Sequence, residues 1–194
     1  MNSFPSFDAE RAYALALLAD RDPVSQRRLI EELAPLVRRR VLKLLGNDSD
    51  ADDIVQDAIL RILDRLDRVL SADHLQGFVM KTVTFVVQEH FRSKRRRRWV
   101  FWGDAQNDYP ATSENEGQLT TDEIYAALKN LPDEQRIVVT LQLVEECELS
   151  EIVEQTGFSR STVNRHLAAA RQKIKTALRG TNPLAELFLV PEGS

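Results

Sequence analysis

The stretch Glu148–Leu178, ELSEIVEQTGFSRSTVNRHLAAARQKIKTAL, limits what this chain can fold into more than any other. It reads as a short helix, a tight turn at Thr156-Gly157-Phe158 and a longer helix. Ser159 is placed to cap that second helix by accepting from amides of its first turn. Gly157 follows the first helix where a left-handed residue is wanted, and a residue with a Cβ is strained there. Val163, Leu167, Ala170, Ile174 and Leu178 recur at steps of three and four, so one stripe of the second helix must face a core. Arg160, Ser161, Asn164 and Arg165 occupy its other face near the amino end. In a major groove Arg can pair with guanine and Asn with adenine, two hydrogen bonds each. The plainer account is a helical hairpin with a solvated polar face.

An isolated helix pair would leave that stripe in water and should not stay folded. The preceding segments supply a cover. Thr120 and Glu123 form a capping box for a helix using Ile124, Ala127, Leu128 and Leu131. Leu131-Pro132 ends it, and Asp133 to Glu145 makes a further helix with Ile137, Val138, Leu141 and Val144 on one side. Residues 120–180 are thus expected to form a four-helix domain containing the helix-turn-helix.

The amino-terminal part reads as a second helical domain, residues 8–100. Asp8 can cap a first helix containing Tyr13, Leu15, Leu17 and Leu18, stopped by Asp20-Arg21-Asp22-Pro23. Asp22 and Pro23 restart a helix whose buried face is Leu29, Ile30, Leu33, Leu36, Val37, Val41 and Leu44, with a bend expected at Pro35. Gly46 and Asn47 end it. Ser49 with Asp52 looks like another capping box. The strongest amphipathic pattern follows: Ile54, Val55, Ala58, Ile59, Ile62, Leu63 and Leu66 on one face, and Asp53, Gln56, Asp57, Arg61 and Asp64 opposite. After a polar loop, 70–74, a helix from about Leu75 buries Phe78, Val79, Thr82, Val83, Val86 and Val87. Lys81, Gln88, Arg92, Arg95 and Arg96 are expected on its outer side, with Trp99, Phe101 and Trp102 just beyond. Cations beside aromatics suit phosphate contact combined with stacking on unpaired bases.

Charge is segregated. With 26 Lys and Arg against 30 Asp and Glu, the net charge of −4 argues against a protein that coats nucleic acid by bulk charge. Yet Arg92, Lys94, Arg95, Arg96, Arg97 and Arg98 are clustered, and no Lys or Arg follows until after Leu128. Residues 101–119 form an acidic linker carrying Asp104, Asp108, Glu114 and Glu116. Such separation points to two kinds of partner, one polyanionic and one basic. The single cysteine, Cys147, excludes an internal disulfide, and its acidic neighbours disfavour a thiolate. His74, His90 and His166 lie far apart in sequence without zinc-site spacing, so neither a metal nor a cofactor is expected. No apolar run approaches the roughly 18 residues of a membrane span, and the first residues lack a basic signal-peptide start. A cytoplasmic protein is expected. The tail, 181–194, is expected to pack on one of the domains.

Taken in order, these parts resemble a bacterial sigma factor of the extracytoplasmic-function (ECF) group, in the sigma-70 family. DADDIVQDAILRIL (50–63) is similar to its core-polymerase-binding helix, and GFVMKTVTFVVQEHFRSKRRRR (77–98) to the helix that opens and reads the minus-ten element. LPDEQRIVVTLQLVEE (131–146) with EIVEQTGFSRSTVNRHLAAAR (151–171) is similar to the domain that reads the minus-thirty-five element. The resemblance implies an alternative sigma factor that binds core polymerase and directs promoter-specific initiation without enzymatic activity. It implies that Asp52, Asp53, Gln56 and Asp57 meet the coiled coil of the polymerase's largest subunit. It assigns minus-ten DNA to Lys81, Phe85, Gln88, Arg92, Arg95 and Arg96, and minus-thirty-five DNA to Arg160, Ser161, Thr162, Asn164 and Arg165. The acidic linker would thread the channel by which RNA leaves, and an anti-sigma factor or other regulator is implied as a partner. Several positions depart from the family pattern: Phe78 replaces tryptophan, Phe85 asparagine, Glu89 aspartate and Glu146 glycine, while Asn164 and Ala169 stand where basic residues are common. A stand-alone helix-turn-helix regulator, a sigma-like protein that does not initiate, and a metal-dependent nuclease using Asp52, Asp53 and Asp57 are the competing readings.

Overall fold

The computed structural model describes residues 8–19, 22–45, 48–102, 128 and 130–177, and every regular element among them is helical. Seven α-helices are described: α1 (Ala9–Ala19), α2 (Pro23–Leu45), α3 (Ala51–Leu63), α4 (Ala72–Trp102), α5 (Asp133–Leu143), α6 (Leu149–Thr156) and α7 (Arg160–Ala177), with a short 3₁₀ turn at Leu66–Arg68. The chain divides into two compact units, residues 1–93 with 154–157 and residues 94–153 with 158–194.

Local chemistry starts the helices of the first unit. Asp8 Oδ1 accepts the Arg11 amide at 3.0 Å. Asp22 accepts the amides of Val24 and Ser25 and the Ser25 hydroxyl, so Pro23 enters α2 at a position where an amide hydrogen is not needed. Hydrogen bonding by these donors holds the Asp22 carboxyl below its ordinary range. Helix α2 runs through Pro35 as one element.

The core of this unit is the stripe read from the sequence. Leu29, Leu33, Val37, Val41 and Leu44 of α2 have no exposed surface, nor do Ala58 and Ile62 of α3 or Leu75, Val79, Val83 and Val87 of α4. Burying each of the larger side chains contributes roughly 1.5–3 kcal/mol. Helix α1 packs against α2 and buries Ala12, Ala16 and Ala19, whereas Leu17 is exposed. Small side chains allow a close approach that leucines would prevent.

Three expectations are corrected. Helix α3 begins at Ala51 with Asp50 as its N-cap and no side-chain capping bond, so Ser49 and Asp52 do not form the expected box. The Ser49 hydroxyl instead lies 3.3 Å from Asp50 Oδ1. Helix α4 starts at Ala72, earlier than Leu75, because the Ser71 Oγ accepts the His74 amide while His74 Nδ1 accepts the Leu70 amide. It also continues to Trp102, taking in the aromatics placed beyond it.

In the second unit α5 and α7 pack together through Ile137, Val138, Leu141, Val163, Leu167, Ala170 and Ile174, all buried. The helix expected at 120–131 falls mostly outside the described residues, as do the acidic linker, Leu178 and the tail; Leu128 and Leu131 are buried. Cys147 is buried as well, its amide bonded to the Leu141 carbonyl.

Candidate functional site

Helix α3 presents its acidic face because Ala51, Ile54, Ala58 and Ile62 hold the opposite side in the core. Asp52, Asp53 and Gln56 are exposed and Asp57 is half-buried. Two of the acids have intramolecular cations. Arg38 pairs with Asp52, and Arg61 Nε donates to Asp57 Oδ1 at 3.0 Å while its Nη1 reaches Glu89. Hydrogen bonding to Asp57, with a further contribution from Glu89, raises the Arg61 pKa. Among the described residues no hydrogen bond or ion pair occupies Asp53 or Gln56. Leu60, one turn further along, is 58% exposed. Leu60 lies off the apolar stripe of α3, and a leucine out of register with that stripe is the signal the sequence offers for it.

Along α4 the candidate residues separate. Arg92 and Arg96 are exposed. Phe85 is partly exposed, its ring edge 3.4 Å from where a Cβ on Gly157 would lie. Lys81 is half-exposed with Nζ 3.8 Å from Glu154. Gln88 departs from the outward placement expected of it. It is 3% exposed, and its Nε2 donates to the Thr156 carbonyl at 3.3 Å. The one-residue offset from Val87 puts it on the buried side of the helix. Arg95 donates to Glu134 at 2.6 Å. Burial is the largest single influence on the Glu134 carboxyl and raises its pKa, but the Arg95 hydrogen bond, a backbone hydrogen bond and the nearby charges of Arg95 and His166 together outweigh it, and the net shift is downward.

A further buried polar group was not anticipated. Arg40 is 1% exposed, with Nη2 3.3 Å from Thr84 Oγ1 and bonded to Gln155. A cation falling between Val37 and Val41 on an apolar stripe is the pattern that marks such a group.

In the helix-turn-helix, Gly157 has φ +70°, as its position at the end of α6 requires. Glu151 reaches back to the Glu148 amide at 2.7 Å and fixes the start of α6. The Ser159 hydroxyl accepts the Thr162 amide at 3.2 Å, the expected cap of α7. With Val163 and Leu167 held in the core, Arg160, Ser161, Asn164 and Arg165 project into solvent. Thr162 is less available, its hydroxyl 2.9 Å from Ser159 Oγ. His166 packs against Phe158, ring centroids 5.5 Å apart. The arrangement offers donors and cations for polyanion contact on α4 and α7, and carboxylates for a basic partner on α3.

Family comparison matches residues 29–97 to sigma-70 region 2 and residues 121–174 to sigma-70 region 4. The chain is 28% identical over 148 residues to the ECF RNA polymerase sigma factor EcfG of Rhodopseudomonas palustris, covering 74% of this chain and 80% of that protein. It is 26% identical over 155 residues to the ECF sigma factor SigE of Mycolicibacterium smegmatis, covering 77% of this chain and 60% of that one. A solved structure of CnrH in complex with the cytosolic domain of CnrY is similar at a TM-score of 0.55 and 17% identity, covering 90% of this chain and all of that one. The sigma factor RpoE in complex with the anti-sigma factor NepR from Bartonella quintana is similar at 0.56 and 18%, covering 80% and 98%. The two family matches, to regions 2 and 4 in that order, identify a promoter-recognition factor of RNA polymerase. The chain belongs to the ECF group of the sigma-70 family and is an alternative sigma factor that directs transcription initiation. Its match to region 2 as well as region 4 disfavours a stand-alone helix-turn-helix regulator. Among the described residues no helix is long and apolar enough to cross a membrane.

Proposed function

We propose that Asp52, Asp53, Gln56 and Asp57 on α3 dock on the coiled coil of the largest subunit of core RNA polymerase, with Asp53 and Gln56 as the most available contacts. The exposure of Asp53 without an intramolecular partner is the observation that carries this reading. Carboxylates against a basic surface fix orientation and association rate more than they fix affinity, so exposed Leu60 supplies an apolar contact beside them.

Lys81, Phe85, Arg92 and Arg96 engage the minus-ten element on this reading, the cations on phosphates and the phenylalanine against a base. Gln88 supports the helix from inside, and Arg95 must leave Glu134 before it can contact DNA. Arg160, Ser161, Asn164 and Arg165 engage the minus-thirty-five element, while Thr162 serves mainly in the cap. The functional division is residues 8–100, an acidic linker 101–119, and 120–180, with the linker as a polyanion in the RNA exit path. The protein acts in the cytoplasm without covalent chemistry, and an anti-sigma factor restrains it.

Asp53→Arg tests the reading. It should remove co-purification with core polymerase while leaving the helical circular-dichroism spectrum and thermal midpoint of the free protein unchanged. Undiminished co-purification of a folded variant would overturn the assignment of this face.

A further inference from the structure

Beside the turn that leads into α3, two aspartates, Asp48 and Asp50, meet a histidine from a distant part of the sequence, His90, and the promoter-factor reading uses none of the three. His90 Nε2 on α4 lies 3.9 Å from Asp48 Oδ2 and 3.7 Å from Asp50 Oδ2. One potential ligand atom from each residue falls within 4.8 Å of the other two. The remaining oxygens are engaged locally: Asp48 Oδ1 accepts the Asp50 amide at 3.1 Å, and Asp50 Oδ1 lies 3.3 Å from the Ser49 hydroxyl. Both Oδ2 atoms thus face the imidazole.

The imidazole is the independent observation that points to a ligand. Its side chain is only 10% exposed, and Nε2 is buried with no hydrogen-bond partner among the described residues. A buried polar nitrogen left unsatisfied is costly, and 3.7 Å is beyond hydrogen-bond reach. It is close to the span of a shared ion: two bonds of ~2.0–2.1 Å meeting at a tetrahedral angle separate their ligand atoms by about 3.4 Å. Asp48 is 15% exposed and Asp50 42%, so the site is closed on the protein side and open to water on the other.

We propose that Asp48, Asp50 and His90 bind a divalent first-row transition-metal cation of the zinc class, with water completing its coordination. One imidazole nitrogen and two carboxylates suit such an ion, which would satisfy Nε2 and offset the two negative charges. Bound there, it ties the N-terminus of the acidic helix α3 to the C-terminal half of α4.

The test uses the full chain and Zn²⁺ in isothermal titration, with Co²⁺ as a paramagnetic probe. One equivalent of Zn²⁺ should bind and raise the thermal midpoint. Co²⁺ should broaden the His90 imidazole signals and spare those of His74 and His166, the only other histidines. His90→Gln should weaken Zn²⁺ binding at least about tenfold, whereas His74→Gln should leave it unchanged. If His90→Gln fails to fold, Asp48→Asn must produce the same loss, and the wild-type broadening pattern decides independently. No Zn²⁺ binding, or broadening centred on His74 or His166, would overturn the proposal and leave the three residues as a charge cluster.

Discussion

Two residues carry a cost that an ordinary substitution can expose. Glu146 adopts φ +54° just ahead of α6, in the left-handed region where an L side chain is strained. It stands where the family pattern has glycine, and neighbouring Glu145 and Glu148 add like charge. Glu146→Gly should raise stability by about 1 kcal/mol, because relief of strain exceeds the entropy glycine adds to the unfolded chain. Urea melts of the two proteins measure this. His166 is held below its ordinary value of 6.5, first by burial and then by Arg165, against an opposing pull from Glu134. The unfolded chain therefore takes up this proton at a higher pH than the folded one. Its effect on stability is absent well above pH 6.5 and grows as pH falls through that value, each uptake favouring unfolding. His166→Gln should flatten the loss of stability between about pH 7 and pH 5.5, read from thermal midpoints across that range.

At the scale of elements, the punctuation of the helices was the most legible part of the sequence. Asp8, Asp22, Gly157 and Ser159 act as read, since capping depends on one side chain and the few amides after it. Ser159→Ala should cost about 1 kcal/mol in a chemical melt, and Ser159→Asp should largely preserve stability, since an aspartate also caps and favours a helix N-terminus. Where capping failed as a guide, a competing local bond explains it. Ser49 turned to Asp50, and α3 therefore began without the expected box. Faces were legible where the stripe was wide. They were not for α1, whose buried alanines are silent in a search for large apolar residues, nor for Gln88, one position from an outward face.

At the scale of the whole molecule, the order of charged and apolar segments pointed to one acidic-faced helical module followed by a helix-turn-helix module. The individual ties that unite distant positions were hidden. Arg40 with Thr84 and Gln155, Arg61 with Glu89, and His90 opposite Asp48 and Asp50 depend on the packing of separate segments, which spacing along one chain does not encode. The exposed Leu60 beside Asp53 and Gln56 has a consequence for how such a factor leaves its enzyme. Ionic attraction weakens as salt rises, whereas apolar contact does not. Capture of the polymerase by this chain should therefore fall with added chloride only to a plateau, and Leu60→Ala should lower that plateau while leaving the initial slope intact. A binding titration repeated at increasing ionic strength reads both. Displacement in the cell would then depend on a rival that covers this leucine, since dilution of charge alone would leave the grip incomplete.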